Sequence, residues 1–379
     1  MTTALSRRHL LTAALATGAA VPLGVARGAA AAPGQARITL PKPTGPYRVG
    51  TVALHLVDRS RRRELMASIW YPAARDTRRH PVAPWMPDAS WHALVAAIGM
   101  ATDAAAPLTA GRVGAPVLRS RDRFPVVLYS HGNGSCRAET TIVVQELTSH
   151  GYVVVTVDHT DDGFSEFPDG RVTVPTENSF TPWDYARDMT FVLDRLEDLA
   201  AGRNPDAEHR PLPAGLGAAL DLRRIGMFGW SKGATSTALV MNVDRRVRAG
   251  IGFDGEMQSQ PPVTGIDRPF LVMSAEFPRA TEESVARFWS LLRGWRLNLQ
   301  ACGAAHGSYN DQQWLIPQLA ELTDLSDEEL AGWVGTLKPS RAVRIQQAYP
   351  LAFFDLHLRH RGHLLDGPSP AFPEVHFIP

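Results

Sequence analysis

An excess of charge of either sign is missing from this chain: 39 Lys and Arg stand against 38 Asp and Glu, for a formal net charge of +1. Nucleic-acid binding needs a basic face, so this balance argues against a polynucleotide partner. Lysine is nearly absent. Lys42, Lys232 and Lys338 are the only ones, and arginine carries the remaining positive charge, a bias we read as genomic composition. Cys136 and Cys302 are the only cysteines, which excludes a disulfide-rich scaffold. No apolar run reaches the roughly 20 residues of a spanning helix. Internal repeats and interior low-complexity linkers are also lacking. What remains is 379 residues, 44% of them hydrophobic, enough for one large domain with a substantial core.

The amino terminus is informative. Ser6-Arg7-Arg8-His9-Leu10-Leu11 opens an Ala-rich, moderately apolar stretch that ends in Ala29-Ala30-Ala31-Ala32. A charged start, an apolar middle and a small-residue end form the pattern of an export signal. The paired arginines fit the twin-arginine type, whose machinery then becomes an expected partner. Residues 1–31 are thus expected to be a signal peptide cleaved near Ala30 to Ala32, and the protein to be secreted. An ordinary secretory signal or an uncleaved anchor is the alternative, although Gly18 and Pro22 interrupt the apolar run. Without residues 1–31, 36 basic residues face 38 acidic ones. Residues 32–46 read as a Pro/Gly-rich tether and 47–379 as the catalytic domain.

From Val49 onward, short β-branched runs alternate with helical spacing. Thr51 to Val57 and Leu65 to Tyr71 suggest an antiparallel entry around a charged turn. Phe124 to Ser130, Tyr152 to Asp158, Ile225 to Gly229, Val247 to Phe253 and Phe270 to Ser274 read as buried strands, with Arg296 to Cys302 as a further one. Helical stretches fall at Thr140 to Ser149, Trp183 to Leu199, from about Ser231, Thr281 to Gly294 and Tyr349 to Leu358. This alternation predicts an α/β fold, a mostly parallel central sheet with helices on both faces. Trp85 to Met100 interrupts it, either as a cap over a pocket or as a core-facing excursion helix.

Gly229-Trp230-Ser231-Lys232-Gly233 matches G-x-S-x-G, with a buried strand leading in and a helix leading out. In that context the pattern is the nucleophile turn of an α/β-hydrolase. A serine hydroxyl needs a base to take its proton. In this fold the chain order is serine, acid, histidine. Of His306, His357, His360, His363 and His376, His306 directly follows a predicted strand; the next three read as a solvated helix end. The acid is Asp254 or Glu276, each at the end of a strand that could reach His306. Asp158-His159 precedes the serine and reads as a hydrogen-bonding turn. The oxyanion needs two N–H donors, assigned to Lys232 and, in Ser130-His131-Gly132-Asn133-Gly134, to Asn133. The Lys232 side chain is either solvated or steers anionic substrates. Trp230 and His131 are the expected pocket residues. A disulfide between Cys136 and Cys302, joining the two loops, is a further expectation. No metal or cofactor is expected.

With these residues in place, the chain resembles the type II, plasma-type platelet-activating-factor acetylhydrolases. The resemblance runs from about Pro46 to the carboxyl terminus. It is carried by Glu64 to Pro72, Ser130 to Gly134 with Arg137, Ser149-His150-Gly151 leading to Asp158-His159, the serine turn, Gly252-Phe253-Asp254, and Ala305-His306. It implies Asp254 as the acid and metal-independent hydrolysis of short or oxidised acyl esters. Trp230 and Lys232 depart from the family pattern; a Trp in that turn is similar to bacterial polyester hydrolases. The expected partner is a small ester or lipid substrate, with transient contact to a lipid surface left open. A broad carboxylesterase, lipase or cutinase-like polyester hydrolase is the alternative. A non-catalytic binding protein on a degenerate hydrolase fold is a third reading, against which the complete residue set argues.

Overall fold

The computed structural model describes residues 38–177, 180–323 and 325–379; the expected signal peptide and the first part of the tether lie outside the described residues. The strands are β1 (Arg48–Asp58), β2 (Arg63–Ala73), β3 (Val82–Pro84), β4 (Leu108–Val113), β5 (Phe124–Ser130), β6 (Val153–Val157), β7 (Ser165–Glu166), β8 (Val172–Thr173), β9 (Leu220–Trp230), β10 (Val247–Phe253), β11 (Phe270–Ser274), β12 (Arg296–Ala301) and β13 (Val375–Ile378). The helices are α1 (Asp88–Ala97), α2 (Thr141–Ser149), α3 (Pro182–Ala200), α4 (Lys232–Val243), α5 (Glu283–Leu291), α6 (Gln312–Ala320), α7 (Asp327–Val334) and α8 (Pro339–Arg359).

One sheet of 11 strands runs β13-β12-β11-β10-β9-β5-β6-β2-β1-β4-β3, and β7 pairs only with β8. From β12 to β6 every neighbouring pair is parallel. Antiparallel partners close that parallel centre on both sides, β13 beside β12 and the β1–β2 hairpin beside β6. The reason lies in the side chains. Every residue of β5, β6 and β11 is buried, and a strand buried on both faces belongs in the middle of a covered sheet.

Successive residues send their side chains to opposite layers. Val126 and Leu128 pack with Met189, Leu193, Leu239 and Phe288, under α3, α4 and α5. Val127 and Tyr129 pack with Val143, Leu147, Tyr349 and Phe353, under α2 and α8. The expected three-layer α/β-hydrolase architecture is what the chain adopts.

One open reading is decided and two expectations need correction. Trp85 and Trp91 are buried in a separate apolar cluster with Val95, Leu315, Ile316 and Leu319, so α1 is a core-facing element packed with α6. Both cysteines are free: Cys136 is buried in that same cluster, while Cys302 is exposed at the far end of β12 with its sulfur 3.5 Å from His376 Nε2. The disulfide therefore does not form. His357 is half-buried between Trp295 and Phe353 rather than solvated, and burial, with the nearby His360, lowers its pKa to about 4. Among the described residues, no helix is long and apolar enough to cross a membrane.

An ionic clamp joins the hairpin to α3. The buried Asp188 carboxylate accepts from Arg61 Nη1 (2.8 Å), Arg63 Nη2 (2.9 Å) and His159 Nδ1 (3.0 Å). Burial alone would raise its pKa; the hydrogen bond from His159 and the Arg63 guanidinium outweigh that and hold it at about 2. A depressed carboxyl pKa contributes stability present above its unfolded value near 3.9 and lost as the pH falls toward 2. Asp188→Asn leaves Arg63 without its carboxylate and Arg61 with Asp58 alone, so denaturant unfolding at neutral pH should show a loss of about 3 kcal/mol. The variant should also lose less stability than the parent between pH 5 and 2, on the order of the window Asp188 titrates. Equal acid sensitivity in both proteins would refute the clamp.

Candidate active site

The close packing of β9 on α4 creates the sharp turn at Ser231. Cβ atoms on Gly229 and Gly233 would collide with the carbonyls of Gly233 and Ser130 respectively, so only glycine lets the strand, the helix and the end of β5 meet there. Between them Ser231 has φ 55° and ψ −123°, a backbone conformation a non-glycine residue keeps only under constraint. Its N–H donates to the Phe253 carbonyl at 2.9 Å. The hydroxyl-bearing residue thus stands half-buried at the carboxyl edge of the sheet, against the amino terminus of α4.

Strand register brings Asp254 beside it. Trp230 of β9 pairs with Phe253 of β10, so Ser231 and Asp254 follow side by side. Asp254 is 2% exposed and also has positive φ, 37°. Its carboxylate accepts the backbone N–H groups of Ala275 (2.6 Å), Phe277 (3.0 Å) and Glu276 (3.2 Å), and His306 Nδ1 at 2.7 Å. An acceptor-only carboxylate fixes the tautomer: Nδ1 carries the proton and Nε2 is left as the basic nitrogen. Glu276 does something different. Its carboxylate accepts the His306 backbone N–H at 3.1 Å, orienting the turn and not the ring.

Trp230 and His131 do not form open pocket walls. Trp230 is 6% exposed; its indole lies 4.5 Å from the His306 ring and donates to the His306 carbonyl at 2.9 Å. Its other neighbour is Gly132, where a Cβ would strike the indole. His131 is fully buried: Nδ1 donates to the Gly132 carbonyl (2.6 Å) and Nε2 accepts the His159 N–H (2.9 Å). Burial, reinforced by the nearby His159, holds its pKa well below the ordinary range, which keeps the imidazole neutral for those two bonds.

Beneath the loop lies a second Ser–His–Asp chain. Ser130 Oγ donates to His159 Nε2 at 2.9 Å, and His159 Nδ1 donates to Asp188 at 3.0 Å. All three are 0% exposed, so no ester reaches them; their work is to hold the loop. Asp158 is equally buried and pairs with Arg137 and Ser165. This layer gave no signal in the sequence beyond the Asp158-His159 dipeptide.

Two N–H groups, one on the loop after β5 and one at the start of α4, meet no acceptor among the described residues. Asn133 is exposed and its N–H meets no backbone or side-chain acceptor. Lys232 is the first residue of α4, a position whose N–H a helix leaves unpaired. The Lys232 side chain is neither solvated nor free to steer anions: it is 17% exposed and paired with Asp162 at 2.6 Å. Among the described residues no cluster of His, Cys, Asp and Glu could hold a metal ion.

Known proteins carry this arrangement further. Residues 32–166 match the family platelet-activating factor acetylhydrolase, isoform II. A probable 1-alkyl-2-acetylglycerophosphocholine esterase of Arthroderma benhamiae is 26% identical, over 89% of this chain and 93% of that protein. The platelet-activating factor acetylhydrolase of Cavia porcellus is 21% identical, over 77% and 74%. A solved structure, the ferulic acid esterase of Streptomyces cinnamoneus, is 33% identical, covers 91% of this chain and 100% of its own, and superposes with a TM-score of 0.76. The chain is a carboxylic-ester hydrolase and belongs to the platelet-activating factor acetylhydrolase isoform II family of α/β-hydrolases.

Proposed function

We propose that this enzyme is an exported serine hydrolase that cleaves short-chain acyl esters through an acyl-enzyme, with Ser231, Asp254 and His306 as its catalytic residues. The observation that carries the reading is the 2.7 Å bond from His306 Nδ1 to Asp254, beside a serine held at positive φ on the neighbouring strand end. His306 Nε2 takes the Ser231 proton as Oγ attacks the ester carbonyl. The N–H groups of Asn133 and Lys232 each donate a hydrogen bond to the developing oxyanion. His306 gives its proton to the leaving alcohol, then activates the water that releases the acid. Asp254 keeps the imidazole in the useful tautomer and stabilises the imidazolium.

The acyl group is proposed to be short, as in the acetyl esters named for the Arthroderma and Cavia relatives. A hydroxycinnamoyl ester is the second reading, favoured by the 33% identity with a ferulic acid esterase and by the partly exposed Phe277 ring edge-on to His306. Residues 1–31 are proposed as a twin-arginine signal, supported by Arg7-Arg8 and the following Ala-rich stretch; the tether expected over 32–46 is not a free linker from Ile38 onward, because Ile38 is buried and Thr39, Pro41 and Thr44 hydrogen-bond to the domain.

With a short p-nitrophenyl ester, Ser231→Ala should lower kcat on the order of 10⁶-fold; substantial residual turnover would end the assignment. Asp254→Asn should lose about 10⁴-fold, and Glu276→Gln far less, because its carboxylate holds backbone and not imidazole. A larger loss in the second variant would reverse the choice of acid. A panel of acetyl-phospholipid, graded triglycerides, methyl ferulate and polyester film separates the substrate readings, with the highest kcat/KM expected on the acetyl ester. Replacing Arg7 and Arg8 together by Lys should retain the protein inside the producing cell, measured as esterase activity in the medium. Undiminished activity there would exclude the twin-arginine route.

A further inference from the structure

We propose that the Lys232 ammonium, through Asp162, is a positioning device that sets the two oxyanion donors at a fixed separation. The inference rests on the proposed roles of the Asn133 and Lys232 N–H groups. Those two donors belong to different elements, one on the loop after β5 and the other at the start of α4. Nothing covalent nearby fixes the gap between them, yet a working site holds its groups to within about 0.5 Å.

Asp162 spans that gap. Its backbone carbonyl accepts the Gly134 N–H at 3.1 Å, holding the residue after Asn133, and its own N–H donates to His159 O at 3.0 Å. Its carboxylate Oδ2 takes Lys232 Nζ at 2.6 Å and the Tyr185 hydroxyl at 2.8 Å. The Lys232 ammonium also donates to the Phe180 carbonyl at 2.9 Å and sits 5.1 Å from the centre of the Tyr185 ring. One residue therefore grips the oxyanion loop by its main chain and the nucleophile turn by its side chain. The Tyr185 ring in turn stacks on His159 at 3.6 Å, which seats Asp162 on the buried layer under the loop.

The choice of residue supports the same reading. A cation in the first turn of a helix opposes the helix dipole, so lysine is unfavourable at that place unless an anion meets it. The Asp162 side chain is 5% exposed, and a buried carboxylate likewise needs its cation. Each charge makes the other acceptable, and the pair closes only when the loop and the turn are in register.

The test uses the full-length enzyme, a p-nitrophenyl ester and an alkyl boronic acid that forms a tetrahedral adduct on the serine. Lys232→Met and Asp162→Asn should each lower kcat per titrated active site on the order of 10²-fold. KM should move by less than about threefold, and boronate affinity should fall in parallel with kcat, as expected for an interaction made in the transition state. The double variant should lose about as much as either single one, because the two residues act as one unit. Lys232→Arg, which keeps the charge, should recover part of the loss.

Unchanged kcat and boronate affinity with only a lower Tm would make the pair structural and overturn the inference. Should Lys232→Met fail to fold, Tyr185→Phe removes one donor from Asp162 without changing any charge. Parallel losses of kcat and boronate affinity then support the proposal, and unchanged values refute it. Ser231→Ala keeps the two levels apart: turnover surviving in that variant would defeat the catalytic reading itself, whatever Lys232→Met does.

Discussion

A serine backbone at positive φ is the constraint on which the rest of this molecule turns. Such a conformation costs about 1–3 kcal/mol and survives only where its surroundings leave no alternative. Here the surroundings are the buried ends of β5, β9 and β10 and the buried face of α4, whose residues from Gly233 to Met241 are all out of solvent. Glycines at 229 and 233 let those elements come close enough to force the turn. The consequences are geometric. Ser231 is raised above the sheet edge, the amino terminus of α4 points at it, and the residue after the paired strand becomes its neighbour.

Legibility in the sequence followed burial. β5, β10 and β11 have the bounds their apolar runs suggest, because strands covered on both faces are written as continuous hydrophobic segments. Edge elements leave weaker traces: β3, β4 and β13, like α6 and α7, have no comparable apolar run. α8 begins at Pro339, well before its aromatic half, since Arg341, Arg344, Gln346 and Gln347 dilute the apolar spacing. Ser231, Asp254 and His306 stood out because each lies just past a strand end, where parallel topology gathers loops. Periodicity could not choose between Asp254 and Glu276. Both meet His306, one through the ring and the other through the main chain. The partner of Lys232 was invisible for a simpler reason: Asp162 lies 70 residues earlier, and no local pattern links a helix start to a distant loop.

Charged groups are unusually deep in the region below the loop that follows β5. Asp158 with Arg137, and Asp188 with Arg61 and Arg63, are ion pairs whose carboxylates are wholly buried. Buried pairs of this kind add little net stability relative to apolar packing. Their effect is to exclude arrangements that leave one charge alone, and so to allow a single placement of the loop above them. Neutral His131 and His159 extend the same logic with directed hydrogen bonds. The loop is thus held from below by charge and from the side by Asp162.

The separation of the two cysteines gives the folded protein an unequal pair of thiols. Cys136 is packed in an apolar cluster, where burial raises its pKa well above the ordinary range, so it is both shielded and poorly ionised. Cys302 is exposed where β12 ends, immediately before the turn that carries His306. Reactivity toward electrophiles follows thiolate character and access. A maleimide or similar reagent therefore meets one sulfur in the native enzyme. A fluorophore or spin label attached there would ride on the His306 turn, a built-in vantage point for watching the site.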